Sequence, residues 1–181
     1  HKLIINIMTA KIIEGLSQVH NKYDTFFIDL WGVVHNGIKL YENSIDVLDN
    51  LVLAKKDFVL LTNAPRPNAS VVNFLKKMGL KKYYKNVFTS GEAATKYLVS
   101  EFSKQKFFHV GPSKDFDLFK NFAKNKVLNI DDAEYLLCTG LFDDHENDLN
   151  YYKTLFSNHI SKKMICTNPD LIVDRGEKRE F

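Results

Sequence analysis

Thr25-Phe26-Phe27-Ile28-Asp29-Leu30-Trp31-Gly32-Val33-Val34-His35-Asn36-Gly37-Ile38-Lys39-Leu40-Tyr41 is the stretch on which the fold turns. An apolar run over 26–28 stops at Asp29, and Gly32 loosens the backbone after it. Asn36-Gly37 lies between Val33-Val34 and Ile38 and Leu40. Asn-Gly tolerates the two positive φ angles of a type I′ turn, so the spacing predicts a tight hairpin. A carboxylate thus ends a buried strand, with a small flap just beyond it. In an open α/β sheet ligands bind at that edge. A nucleophile presented there, beneath a flap that excludes water, is a catalytic arrangement.

Outward from this stretch the chain alternates. Residues 4–19 predict a leading helix. Ile45, Leu48, Leu51 and Val52 recur at helical spacing behind a cap at Asn43 or Ser44. Residues 58–61 read as a buried strand closed by Thr62-Asn63-Ala64-Pro65. Val71, Val72, Phe74, Leu75 and Met78 mark a helix that Gly79 can end. Residues 87–88 are a short strand, and Thr89-Ser90-Gly91-Glu92 resembles a capping box opening a helix to about 102. Strand and helix in alternation predict a parallel sheet. The pattern then restarts, with strands at 106–110, 135–139 and 163–167. Phe116, Phe119 and Phe122 predict a helix between the first two, and 149–156 another between the last two. The expected division is 1–103, a separate α/β module over 104–170, and a short return segment over 171–181.

Asp29 and Thr62 stand 33 positions apart, the length of one strand–helix–strand unit with the flap included. Such a unit brings both residues out at one sheet edge. A carboxylate nucleophile beside a hydroxyl and free backbone N–H groups suits attack on phosphorus, with a cation offsetting the charge.

The motifs Asp29-Leu30-Trp31-Gly32-Val33 and Leu61-Thr62-Asn63, with the flap between them, resemble those of the haloacid dehalogenase (HAD) superfamily. Thr167-Asn168-Pro169-Asp170 sharpens the likeness to the branch of sugar-phosphate, nucleotide and 4-nitrophenyl phosphatases that insert a large α/β cap after the second motif. The resemblance spans about 23–170. It implies a Rossmann-like α/β parallel-sheet core, incomplete in this chain, with an inserted α/β cap. It also implies a Mg²⁺-dependent hydrolase of a small phosphorylated metabolite. Asp29 would form an aspartyl-phosphate, Thr62 and Asn63 would bind phosphate, and Asp29 with the Trp31 carbonyl would hold Mg²⁺. Asp170 would lie where the cap returns toward the substrate.

Two departures bear on activity. The family's phosphatases carry a second Asp, the general acid, where this chain has Trp31, and an indole N–H is too weak an acid to replace it. His35 at the flap tip is the candidate donor by its pKa range. The family's later lysine and acidic motifs have no counterpart before Phe181, eleven residues past Asp170, so a fragment of a longer protein is expected. The rival readings are a phosphate-ligand-binding protein without turnover, and a hydrolase whose leaving group needs no proton.

Composition narrows the partners. In 181 residues, 45% hydrophobic and 26% charged, there is enough apolar content for a core without staples. The net charge of +3 comes with scattered Lys-Lys pairs and no aromatic–basic stripe, which argues against nucleic acid. No apolar run is long enough to span a bilayer, and no signal-peptide layout opens the chain, so neither membrane nor export is expected. Cys138 and Cys166 form no zinc or redox motif; both read as buried hydrophobes, and a reducing cytoplasm is the simplest compartment. Asp143-Asp144-His145-Glu146 reads as a solvated loop capping the following helix, and His109 and His159 as structural. Oligomeric state is not legible, and a homodimer is one expectation.

Overall fold

The computed structural model describes residues 12–170 and the strand backbones Val173–Arg175 and Lys178–Glu180. The expected helix over 4–19 lies outside the described residues as far as position 11. Beyond that, only a 3₁₀ turn forms, at Leu16–Gln18.

Three strands, β1 (Thr25–Asp29), β2 (Asp57–Thr62) and β3 (Val87–Thr89), make a parallel sheet with β2 central. The helices α1 (Glu42–Leu53), α2 (Asn68–Lys77) and α3 (Ser90–Glu101) connect or follow them. Leu30, Leu48, Leu51, Phe58, Leu60 and Leu75 pack into one core. Leu60 and Leu75 are fully buried, each contributing about 1.5–3 kcal/mol over exposure. The far side of β1 has no paired strand among the described residues, and Phe27, within β1, is 75% exposed. An unpaired edge of this kind is a template for strand pairing.

The second sheet is also parallel, in the order β5-β4-β6-β7, from β4 (Phe107–Val110), β5 (Lys126–Val127), β6 (Tyr135–Cys138) and β7 (Lys163–Cys166). Helix α4 (Leu149–Ser157) joins β6 to β7. β8 (Val173–Arg175) and β9 (Lys178–Glu180) form an antiparallel pair. Phe107, fully buried, sits between the rings of Phe119, Phe122 and Tyr135. Leu98 and Phe102 belong to this second core, so α3 starts on the first sheet and ends on the second.

Three local expectations fail for identifiable reasons. Phe116, Phe119 and Phe122 form no α-helix but two 3₁₀ helices, Ser113–Leu118 and Lys120–Asn125. Their spacing of three matches the 3₁₀ repeat better than 3.6. The loop acids do not cap α4. Asp148 does, accepting from the Tyr151 N–H, while Asp143 accepts from Ser113 N–H and hydroxyl. Cys166 is exposed rather than buried.

Thr89 caps α3 as expected, accepting from Glu92 N–H at 2.9 Å. The reciprocal half of the capping box is exchanged with α2: Glu92 accepts from Asn68 N–H, and the Asn68 side chain accepts from Thr89 N–H.

His109, 5% exposed, lies 2.9 Å from the Thr139 hydroxyl. Burial, helped by Lys126, pushes its pKa down from 6.5 to about 4. Burial raises the pKa of buried Asp115, against the opposing pull of Thr139 and Arg66. Because the unfolded chain binds a proton at His109 and the folded chain resists it, this contribution is complete above pH 6.5 and is lost as pH falls toward 4. Asp115 acts in the opposite sense: burial raises its pKa, so its contribution is lost as pH rises through that raised pKa. Urea unfolding is expected to show a loss of about 2 kcal/mol between pH 7 and pH 5 from this residue. His109→Gln should flatten that slope, and a variant as pH-sensitive as the parent would disprove the assignment.

Candidate active site

Asp29 is the last residue of β1 and pairs in register with Leu61 of β2. Thr62 follows one position further on, so both reach the carboxyl edge of the first sheet. Asp29 is exposed, and its Oδ1 accepts from Leu30 N–H at 2.8 Å. That bond fixes one carboxylate oxygen and leaves the second for a ligand. The Thr62 hydroxyl accepts from Ala64 N–H at 3.2 Å, which turns the chain immediately after β2.

The flap is not the expected type I′ hairpin. Trp31 bridges His35, and His35 bridges Leu40, without a continuous ladder. Gly37 has φ +83°, but Asn36 is not in the positive-φ region. The Asn36 side chain instead accepts from Ile38 N–H and Lys39 N–H at 3.0 and 2.9 Å, so an Asx turn replaces the hairpin turn.

His35 is not at an exposed tip. It is 3% exposed, with the rings of Trp31 and Phe74 edge-on at 5.2 and 5.8 Å. Burial lowers its pKa, against the opposing pull of the nearby Asp29 charge. Its Nδ1 lies 3.0 Å from Gly37 N–H and accepts from it, so the neutral ring carries its proton on Nε2. Forming the imidazolium would put a second proton against that N–H. The ring is built to donate a hydrogen bond, not to release a proton.

Asn63 and Asp170, separated by 107 positions, meet: the Asn63 amide donates to both carboxylate oxygens of Asp170 at 3.3 and 3.2 Å. The end of the second α/β unit is thereby tied to the loop after β2. Arg66 and Ser70 tie the same segment to the second unit as well. Arg66 donates to the Lys114 carbonyl and pairs with Asp115 at 3.4 Å, and Ser70 donates to Asp117 at 2.6 Å.

Residues 63–66 rest on the β3–α3 corner. The Ser90 hydroxyl donates to the Asn63 and Ala64 carbonyls, Gly91 N–H to the Ala64 carbonyl, and the Thr89 hydroxyl to the Arg66 carbonyl. A Cβ on Gly91 would lie 2.3 Å from the Arg66 backbone nitrogen. Sequence reasoning missed Arg66, Ser90 and Gly91 as supports of the site. The one signal was a glycine inside a capping box, where helix propensity disfavours it.

The Asp29 carboxylate and the Trp31 carbonyl are hard oxygen donors of the kind Mg²⁺ takes. Among the described residues no group of three or more His, Cys, Asp or Glu could hold a metal ion. The donors are therefore right in kind but too few to complete a site by themselves.

A carboxylate at the end of one parallel strand, with a hydroxyl and an amide at the end of the next, stands where open α/β sheets bind their ligands. The sequence profile of the haloacid dehalogenase-like hydrolases matches residues 26–123, more than half of the chain, and the chain belongs to that family. A haloacid dehalogenase-like hydrolase from Brucella suis 1330 shares 30% identity and superposes with a TM-score of 0.80, over 93% of this chain and 65% of that one. A 4-nitrophenylphosphatase from Thermotoga maritima, 22% identical, shares the fold with a TM-score of 0.65 over 87% of this chain and 62% of its own. Phosphoglycolate phosphatase 1A of Arabidopsis thaliana, a chloroplastic protein, is 26% identical over 96% of this chain and 54% of its own length. The chain thus spans about half the length of the curated relatives it matches. The likenesses agree with the phosphatase branch expected from the motifs. No helix among the described residues is long and apolar enough to cross a membrane.

Proposed function

We propose that this chain carries the nucleophile half of a Mg²⁺-dependent phosphatase acting on a small phosphorylated metabolite. The observation that carries the reading is the placement of Asp29 and Thr62 at the ends of neighbouring parallel strands in a member of this hydrolase family. The free Asp29 oxygen attacks phosphorus, the bond to the leaving oxygen breaks, and water later cleaves the aspartyl-phosphate. The Thr62 hydroxyl and the Asn63 amide hold phosphoryl oxygens, and Asp170 orients that amide. Mg²⁺, held in part by Asp29 and the Trp31 carbonyl, supplies charge neutralisation when bound. Residues 1–103 act as core and 104–170 as the cap that sets specificity, with 171–181 returning toward the core.

Leaving-group protonation separates this protein from phosphatases with a second Asp. Trp31 cannot donate a proton, and His35 is held neutral with its accepting nitrogen already bonded. The substrates favoured are those whose leaving group needs no proton, such as phenolic or acyl phosphates. With the complete protein and Mg²⁺, a panel of phosphate esters ordered by leaving-group pKa is expected to show aryl and acyl phosphates turned over at least ~100-fold faster than alkyl phosphates. Equal rates on alkyl esters would remove the missing-acid argument. No turnover above buffer on any ester would favour the rival, a phosphate-ligand-binding protein, which Trp31 also supports.

A further inference from the structure

At the carboxyl edge of the second sheet, Cys138 ends β6 and Cys166 ends β7, and the two are paired in register. Register partners on neighbouring strands point to the same face and stand about 4.8 Å apart at Cα. Disulfide bridges use Cα separations of roughly 4.4–6.8 Å. In the reduced state each thiol donates to a nearby backbone carbonyl, Cys138 to Gly140 at 3.7 Å and Cys166 to Asn168 at 3.2 Å. Both are free: Cys166 is exposed and Cys138 half-buried. The strands are stitched just beyond the pair, since Thr167 N–H and hydroxyl donate to the Cys138 carbonyl at 3.0 and 3.3 Å.

We propose that Cys138 and Cys166 are a dithiol modification site that closes to an intramolecular disulfide on reaction with a small-molecule disulfide such as oxidised glutathione. Exposed Cys166 is the attacking thiol. As thiolate it attacks one glutathione sulfur, forming a mixed disulfide and releasing one glutathione thiolate, which takes up the proton. Cys138 then loses its proton and attacks Cys166 Sγ, releasing the second glutathione. Two protein thiols are oxidised and one glutathione disulfide is reduced to two thiols. Burial and the neighbouring Cys166 push the Cys138 thiol up to about 11, so closure is the slower step and speeds up as pH rises.

The bridge would clamp the chain four residues before Asp170, the partner of Asn63. Oxidation is therefore expected to reach the loop after β2.

The test is oxidation of the complete folded protein with oxidised glutathione, thiol blocking and digestion under non-reducing conditions. Mass spectrometry should find a Cys138–Cys166 cross-linked peptide, lighter by two hydrogens than its reduced parts and lost on reduction. In the Cys138→Ser variant, Cys166 should keep a stable glutathionyl group, because nothing resolves it. In parallel, a trivalent arylarsenical, which needs two adjacent thiols, should protect both cysteines of the unoxidised protein from alkylation. A stable mixed disulfide on Cys166 in the parent protein, a bridge only between separate molecules, or independent alkylation of both thiols in the arsenical's presence would each overturn the proposal.

Discussion

Asp29→Asn in the complete protein is expected to remove hydrolysis of aryl and acyl phosphates, by roughly 10⁴-fold or more, to the buffer rate. The carboxamide has nearly the shape of the carboxylate but no nucleophilic oxygen. Its oxygen can still accept from Leu30 N–H, the one hydrogen bond the carboxylate makes to the backbone beside it. Asp29 is exposed, so no buried charge is exchanged and stability should stay within about 0.5 kcal/mol. A fluoride complex of beryllium, which imitates an acyl phosphate on a carboxylate, should bind the parent protein with Mg²⁺ and fail to bind the variant. Retention of turnover in a folded Asp29→Asn protein would place the nucleophile elsewhere.

Gly91→Ala is expected to have the second largest effect, although the residue touches no reacting atom. The added Cβ would fall 2.3 Å from the Arg66 nitrogen and 2.5 Å from the Arg66 carbonyl carbon and oxygen, all backbone atoms. Nothing there can yield by a rotamer change, so residues 63–66 must move. The movement strains the Gly91 N–H bond to Ala64 and the Thr89 hydroxyl bond to Arg66. Overpacking of this kind costs about 1–3 kcal/mol in stability. Because the displaced loop carries Asn63 and follows Thr62 directly, KM for the best ester should rise about tenfold or more, equivalent to about 1.4 kcal/mol of lost binding. Ser90→Ala is the control: it removes only hydroxyl bonds to the Asn63 and Ala64 carbonyls, about 1 kcal/mol, without driving the loop away. A Gly91→Ala protein with parental stability and KM would show that the loop is not held there.

The two predictions differ in what made them visible. Asp29 stood out in the chain because an apolar strand ended on a charge. Gly91 did not, since its constraint is the Arg66 backbone, which lies 25 positions away in sequence and touches it only after folding. The same contrast runs through the flap. Asn36-Gly37 correctly marked a reversal, but both turn types use that pair, and the choice fell to the Asn36 side chain with two N–H groups in reach. His35 looked like a surface turn histidine because the turn pair Asn36-Gly37 follows it directly. It is buried because Phe74, on α2, packs against it from another element.

Alternation of apolar runs and helical spacing, with charge or turn residues at their ends, was sufficient by itself to specify two parallel α/β units and the edge bearing Asp29 and Thr62. These are local properties, set by how one strand or one helix must hide its own apolar face. The neutral state of His35, the Asn63–Asp170 contact, the Gly91 seat under Arg66 and the facing of Cys138 and Cys166 were decided only by the tertiary structure. Each depends on where separate elements come to rest, and short-range periodicity along a chain carries no distance between segments that meet only after packing.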